Sequence, residues 1–219
     1  MIGISPTGND SPETPVSGGT AGGGTLLFCP VLHHFMAEGS GEQEARSIVA
    51  FRKQKDDFFR ESAESPLAHD HRMKFSGLSY FPYDPQYRLE TTLQRNLDPS
   101  KIVLATSKGI PREMLEFGHF EFPIEGGLFR LTAYSSLEHG HEGDSLFVPF
   151  KDMTNGVESY GAGRYLDLEF QSDDRYVTDF NLAYNPWCAY SDAFVCPFPP
   201  PANTLKVRIP AGEKEFSYG

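Results

Sequence analysis

Most of the residues whose types and spacing can do chemistry lie between Phe150 and Cys196. Asp152-Met-Thr154-Asn155-Gly156-Val-Glu158 sets oxygen ligands at alternate positions and adds a glycine, the composition a loop needs to turn sharply around a hard cation. The ligand set is short of a full calcium loop. A turn after a strand, with Asp152 or Asn155 bonding its own backbone, is the preferred reading, and no metal is expected. Tyr160-Gly161-Ala-Gly163-Arg164-Tyr165 places glycines ahead of a cationic fork. Glycine lets the backbone approach a ligand or another strand closely, and a guanidinium binds carboxylate or phosphate in two-pronged geometry. Arg164 therefore either grips an anion in a pocket or pairs inside the fold with Asp152, Glu158 or Asp179. As a nucleotide loop the motif is weak, because its spacing matches neither common fingerprint and no helix follows.

Farther along, Asp179-Phe-Asn181-Leu-Ala-Tyr184-Asn185-Pro186 ends a strand with Asp179 and Asn181 on one face. Two polar groups there either close a hydrogen-bond network or line a pocket, with the network favoured because Asn185 before Pro186 starts a turn. Cys188 and Cys196 flank Tyr190 and Phe194 and can bridge, bind metal or pack as buried thiols. Structural zinc wants four ligands, so buried packing is favoured. His119, inside an expected strand, is the histidine placed to act as a general base for Cys188. His69-Asp70-His71 and His139-Gly140-His141 are read as solvated loops.

Two function classes follow. One is a binding module, a β-barrel whose polar pocket, drawn from Asp152, Glu158, Tyr160, Arg164, Tyr165, Asp179, Asn181, Tyr184 and Asn185, holds a small anionic or polar ligand. The other is an enzyme of hydrolase or lyase type, with Asp152, Glu158 or Asp179 as acid or base and Arg164 as electrostatic stabiliser. No cofactor is named by these residues.

These side chains must be positioned by strands. From Phe75 onward short runs are punctuated by turn residues, as in all-β chains. Expected strands are Leu78 to Phe81, Tyr87 to Leu93, Lys101 to Thr106, Met114 to Phe122, Leu128 to Tyr134, Ser145 to Phe150, Arg164 to Phe170, Tyr176 to Asn181 and Thr204 to Ile209. One hairpin joins His119–Phe122 to Leu128–Tyr134 across Pro123 to Gly127. A second joins Arg164–Phe170 to Tyr176–Asn181, the first of these strands alternating Arg164, Leu166, Leu168 and Phe170 with Tyr165, Asp167 and Glu169. Before them, Ser40 and Gln43 have capping-box spacing, and the Pro-free, Gly-free run from Glu42 to Ser62 predicts a helix. Its buried stripe is assigned to Ala45, Ile48, Phe51, Phe58 and Phe59. Arg52, Lys53, Lys55, Asp56, Asp57, Arg60 and Glu61 are assigned to a mostly solvated face. The fold class expected is mainly β, an antiparallel barrel or sandwich-like barrel with one N-terminal helix, since closure removes exposed edges. The Pro197 to Pro201 run reads as a polyproline II segment covering one end of the barrel.

Residues 1–41 hold 9 Gly, 4 Pro and no Lys or Arg, so they read as a flexible leader to a single globular domain over 42–219. The apolar stretch of residues 25–36 is too short to span a membrane and has the wrong flanks for a signal peptide, which leaves a cytoplasmic expectation. With 19 basic against 30 acidic residues and a formal charge of -11, the surface does not offer the phosphate neutralisation that nucleic-acid binding requires. The expected partner is a small molecule rather than a nucleic acid or a membrane.

Several longer motifs occur together: Phe58 to Leu67, Phe75-Ser-Gly-Leu78 with Tyr80-Phe-Pro82, Leu146-Phe-Val-Pro-Phe150 with Asp152-Met-Thr154-Asn-Gly156, Tyr160 to Leu166, Asp179 to Pro186, Cys188-Ala-Tyr190, Cys196-Pro197 and Ala211-Gly212-Glu213. In this order, over about residues 45–215, they resemble the domain of unknown function 1684 family. The resemblance implies a bacterial or archaeal source and no established activity. The glycine-rich leader is not part of the pattern.

Overall fold

Alternating apolar positions after residue 87 become six strands in the computed structural model, which describes residues 41–136 and 145–217. They are β1 (Arg88–Leu104), β2 (Arg112–Ile124), β3 (Gly127–Ser135), β4 (Ser145–Phe150), β5 (Arg164–Glu169) and β6 (Arg175–Asp179). All pair antiparallel in the order β5-β4-β3-β2-β1-β6, forming a mainly β, nearly closed barrel with an N-terminal helix, α1 (Gly41–Glu61). A second, short helix, α2 (His69–Arg72), carries the first His-x-His pair. The leader before Gly41, with Cys29 and Ser40, and the His139-Gly140-His141 pair lie outside the described residues.

Two expected strands, Tyr87–Leu93 and Lys101–Thr106, are one strand. β1 runs through Pro99, and its pairing with β2 slips between Arg95 and Ser100. An irregularity of this kind bends a strand and tolerates a residue without an N–H, so β1 can serve β6 with its first half and β2 with its second. The β2–β3 hairpin is tighter than the sequence suggests. Ile124 pairs with Gly127, leaving Glu125 (φ 48°) and Gly126 (φ 77°) as a two-residue turn of the type that matches strand twist.

The second expected hairpin does not form. β5 pairs with β4 on one side, and on the other Tyr165 exchanges both backbone hydrogen bonds with Tyr184 (2.8 and 3.0 Å). Beyond this single bridge β5 forms no ladder on that side, and β6 pairs with β1 instead. Two expected strands are also reduced to single bridges, Tyr80 to Glu213 and Lys151 to Thr204.

Inside the barrel, Leu93, Phe120, Phe122, Leu131, Leu146, Val148, Phe150, Leu166 and Phe180 form the principal core. A smaller cluster of Leu104, Met114, Tyr134, Phe147 and Tyr165 packs separately, with Tyr184 against it. Burying a side chain of this size is worth about 1.5 to 3 kcal/mol. The proline segment covers the end of this second cluster: Phe198 N–H donates to the Ala105 carbonyl (2.7 Å) and Tyr165 Oη to the Pro197 carbonyl. Asn203, just beyond it, ties β3 to β4 by accepting from Thr132 N–H (2.8 Å) and donating to the Thr132 and Pro149 carbonyls (2.8 and 2.7 Å).

Helix α1 departs from its expected faces. Ile48, Lys55 and Phe59 are its buried residues, and they share one helical stripe with Arg52. Arg52 donates to the Phe81 carbonyl (2.9 Å), and Asp56 accepts from Leu78 N–H (2.9 Å). Arg52, Lys55 and Asp56 thus belong to the docking face, where the loops present backbone groups that need hydrogen-bond partners, while Lys53, Arg60 and Glu61 are exposed as expected. No helix among the described residues is long and apolar enough to cross a membrane.

Candidate functional site

The motif residues separate into two buried networks and one half-buried patch. In the first network Arg164, at the start of β5, is fully buried between the rings of Phe81 and Phe150, 5.8 and 5.3 Å from their centroids. Its Nη2 donates to Asp152 Oδ1 (3.1 Å) and the Ile209 carbonyl (2.9 Å), and its Nη1 donates to the Glu213 and Ala211 carbonyls. Among the candidate acids, Asp152 is the partner. Its carboxylate also accepts from Ile209 N–H (2.7 Å), Thr154 N–H (3.2 Å) and Thr154 Oγ1 (2.9 Å). Asn155 closes the loop by accepting from Asp152 N–H (2.6 Å) and donating to Ser159 Oγ and the Tyr160 carbonyl (3.0 and 2.8 Å). Burial pulls the Arg164 guanidinium down from its ordinary range, and Asp152 opposes that shift. Glu158 stands apart and pairs with Arg208 at the surface.

The second network pins α1 to the barrel. Lys55 Nζ pairs with Glu213 Oε1, both side chains being almost fully buried. Glu213 Oε2 accepts from Tyr190 Oη and from Asn185 N–H (2.8 Å), and Asn185 Nδ2 donates to the Lys214 carbonyl (2.8 Å). Nearby, Asp179 caps the turn after β6 by accepting from Asn181 N–H (2.9 Å), while Asn181 accepts from Asp84 N–H (3.0 Å) and donates to its carbonyl (2.9 Å). Burial raises the Asp179 carboxyl, and the Asn181 hydrogen bonds pull it back. Asp179, Asn181 and Asn185 all act here on backbone.

Tyr160 and Tyr184, both half-buried, come together around the buried Tyr165 at a third site on the outer face of β5. The Tyr165 ring meets Phe147 and Tyr184 edge to face, at 4.7 and 5.7 Å. Asp167, opposite Phe147 in the β4–β5 register, is half-buried beside them. Tyr184 Oη donates to Asp167 Oδ2, the one partner of this carboxylate among the described residues. Burial pushes the Asp167 carboxyl up to about 6, against the pull of Tyr184 and the more distant Lys55. Lys55 Nζ in turn lies 4.9 Å from the Tyr184 ring centroid. On the far side of Tyr165, the Tyr160 hydroxyl is 3.8 Å from the half-buried Cys188 thiol. His119 is elsewhere: its ring nitrogens face Arg130 (3.0 Å) and Glu121 (3.9 Å).

Three residues of these sites stand outside the motifs that point to chemistry in the sequence. Lys55 had a legible signal, since it falls seven residues after Ile48 and four before Phe59 on the helix stripe. Asp167 shares a strand face with Tyr165. Glu213 carries no local signal, because its partners are 158, 28 and 23 residues away.

A family model described as protein of unknown function (DUF1684) matches residues 73–214. The chain belongs to this family. The Phe58 to Leu67 motif lies before the matched DUF1684 span, whereas the Arg164 network, the Glu213 cluster except for Lys55, and the Tyr165–Asp167 patch lie within it. The solution structure of an uncharacterised protein from Haloarcula marismortui is similar at 40% identity, covering 79% of this chain and 95% of that one with a TM-score of 0.62. No protein with a curated description matches the chain.

Proposed function

We propose that this DUF1684 protein is a small-molecule-binding β-barrel whose ligand is polar and donates hydrogen bonds, held at the outer face of β5 by Asp167 and Tyr184. The observation that carries this reading is the state of Asp167, a half-buried carboxylate beside aromatic rings whose one hydrogen-bond partner among the described residues is the Tyr184 phenol. A buried charge of this kind is stabilised by a donor or a cation, and aromatic faces add attraction for a cation. The net charge of -11 favours the approach of the same class of ligand. Arg164 supports an anionic ligand less well, since carbonyls and Asp152 already occupy its guanidinium.

The test is a titration of the isotope-labelled full chain with ethanolamine and choline, and separately with acetate and phosphate, followed by amide shifts. Amines are expected to move the resonances of β5 and of the Tyr184 segment, and Asp167→Asn is expected to abolish the effect. Shifts there with anions and not with amines, or with no probe at all, overturn the proposal. An enzyme of hydrolase or lyase type is the second reading, favoured by one observation: a carboxyl near 6 can give or take a proton at neutral pH. In that case Asp167 takes the acid–base role, with Tyr184 as its orienting partner.

A further inference from the structure

We propose that Cys188 and Cys196 form a peroxide-reactive dithiol, in which Cys188 is oxidised first and Cys196 closes the disulfide. This goes beyond ligand binding at Asp167 and does not depend on it. The two residues belong to one short excursion, Trp187 to Cys196, whose ends are clamped. Trp187 packs edge to face on Phe194 with centroids 4.8 Å apart. Cys196 is anchored on both backbone groups: its carbonyl accepts from Ser107 N–H (2.9 Å) and its N–H donates to Ser107 Oγ (3.1 Å). Its thiol sulfur then accepts a hydrogen bond from Cys188 N–H at 3.2 Å, so the buried sulfur rests against the backbone of the other cysteine. Both thiols are free.

Their environments divide the labour. Cys188 is half-buried and Cys196 buried, so an oxidant meets Cys188 first. The Tyr160 hydroxyl, 3.8 Å from the Cys188 sulfur, can donate to a thiolate there. In keeping with this, hydrogen bonding from Cys196, then from Tyr160 and Ser107, brings the Cys188 thiol down to about 7, while Cys196 is pushed upward. A half-buried thiol whose ionisation is favoured by neighbouring donors and that lies beside a second thiol is the arrangement of a peroxide-sensing pair.

The chemistry balances with hydrogen peroxide as the oxidant. The Cys188 thiolate attacks one peroxide oxygen, the S–O bond forms as the O–O bond breaks, and hydroxide leaves to be protonated to water. The Cys196 sulfur then attacks the Cys188 sulfenic acid, the S–S bond forms as the S–O bond breaks, and a second water leaves with the Cys196 proton. The sulfur pair loses two electrons, and the peroxide gains them.

The experiment uses the full chain carrying Cys29→Ser, treated with about one equivalent of hydrogen peroxide and read by intact and peptide mass. The expected product has lost about 2 Da, the two thiol hydrogens, with the Cys188 and Cys196 peptides joined. Cys196→Ser is expected to stop at a dimedone-trappable sulfenic acid on Cys188, and Cys188→Ser to leave Cys196 unoxidised under the same conditions. In the untreated protein, limited iodoacetamide is expected to label Cys188 well before Cys196, with a rate that rises through about pH 7. Two free thiols after peroxide, a sulfenic acid first on Cys196, or equal alkylation of both cysteines overturns the proposal.

Discussion

Replacing Arg164 with alanine removes a guanidinium that five acceptors share, and the consequences can be worked from the structure. Asp152 keeps three donors, the Ile209 and Thr154 N–H groups and Thr154 Oγ1, so its charge is not left bare. Breaking a buried ion pair from one side costs about 3 to 5 kcal/mol, and those donors place the charge effect at the lower end. The carbonyls of Ile209, Ala211 and Glu213 also lose a donor, each worth about 1 kcal/mol when the group stays buried. The expected loss is about 6 kcal/mol, a large fraction of the stability of a domain. Urea unfolding followed by fluorescence of the single tryptophan, Trp187, measures it. Arg164→Lys keeps the charge but not the planar fork, and should recover no more than about half of the loss. Adding Asp152→Asn to Arg164→Met should recover part of it by neutralising the abandoned carboxylate. A loss below about 1 kcal/mol for Arg164→Ala refutes the reasoning, since an ordinary surface substitution costs no more than that.

Asp167 makes stability depend on pH in a stated direction. Its folded carboxyl sits at about 6 and its unfolded one near the usual 3.9. Between those values the folded chain holds more protons, so the contribution of this group is complete below about pH 4 and is lost as pH rises through about 6. Asp167→Asn should therefore gain melting temperature relative to the parent as pH goes from 4 to 8, and a pH-independent difference counts against the assignment. Gly212 has φ 77°, and a Cβ there would lie 2.4 Å from the Ala183 carbonyl oxygen and 2.8 Å from that of Phe180. Gly212→Ala should cost more than about 1 kcal/mol, read as a lower urea midpoint. An unchanged midpoint would mean that the Ala211 to Glu213 segment is not held as described.

What the sequence determined by itself is the local grammar. Apolar alternation, turn residues and an uninterrupted helical run located α1 and all six strands, because those signals come from neighbours along the chain. The motif order likewise sufficed for the family. Strand pairing was a different matter. Tyr184 takes the edge of β5 that the Gln171 to Asp174 turn suggested for β6, and nothing in either strand says which competitor reaches that edge. The sequence left Arg164 either gripping an anion in a pocket or paired inside the fold with Asp152, Glu158 or Asp179. Only the packing of β5 against the Ile209 to Glu213 segment selected Asp152 and filled the remaining donors with carbonyls. Lys55 shows the same division: its helical position was readable, but a lysine on an apolar stripe is buried only where a carboxylate waits, and Glu213 arrives from 158 residues away. Long-range charge pairing is a property of the assembled barrel, because burial itself decides whether a charge must find a partner.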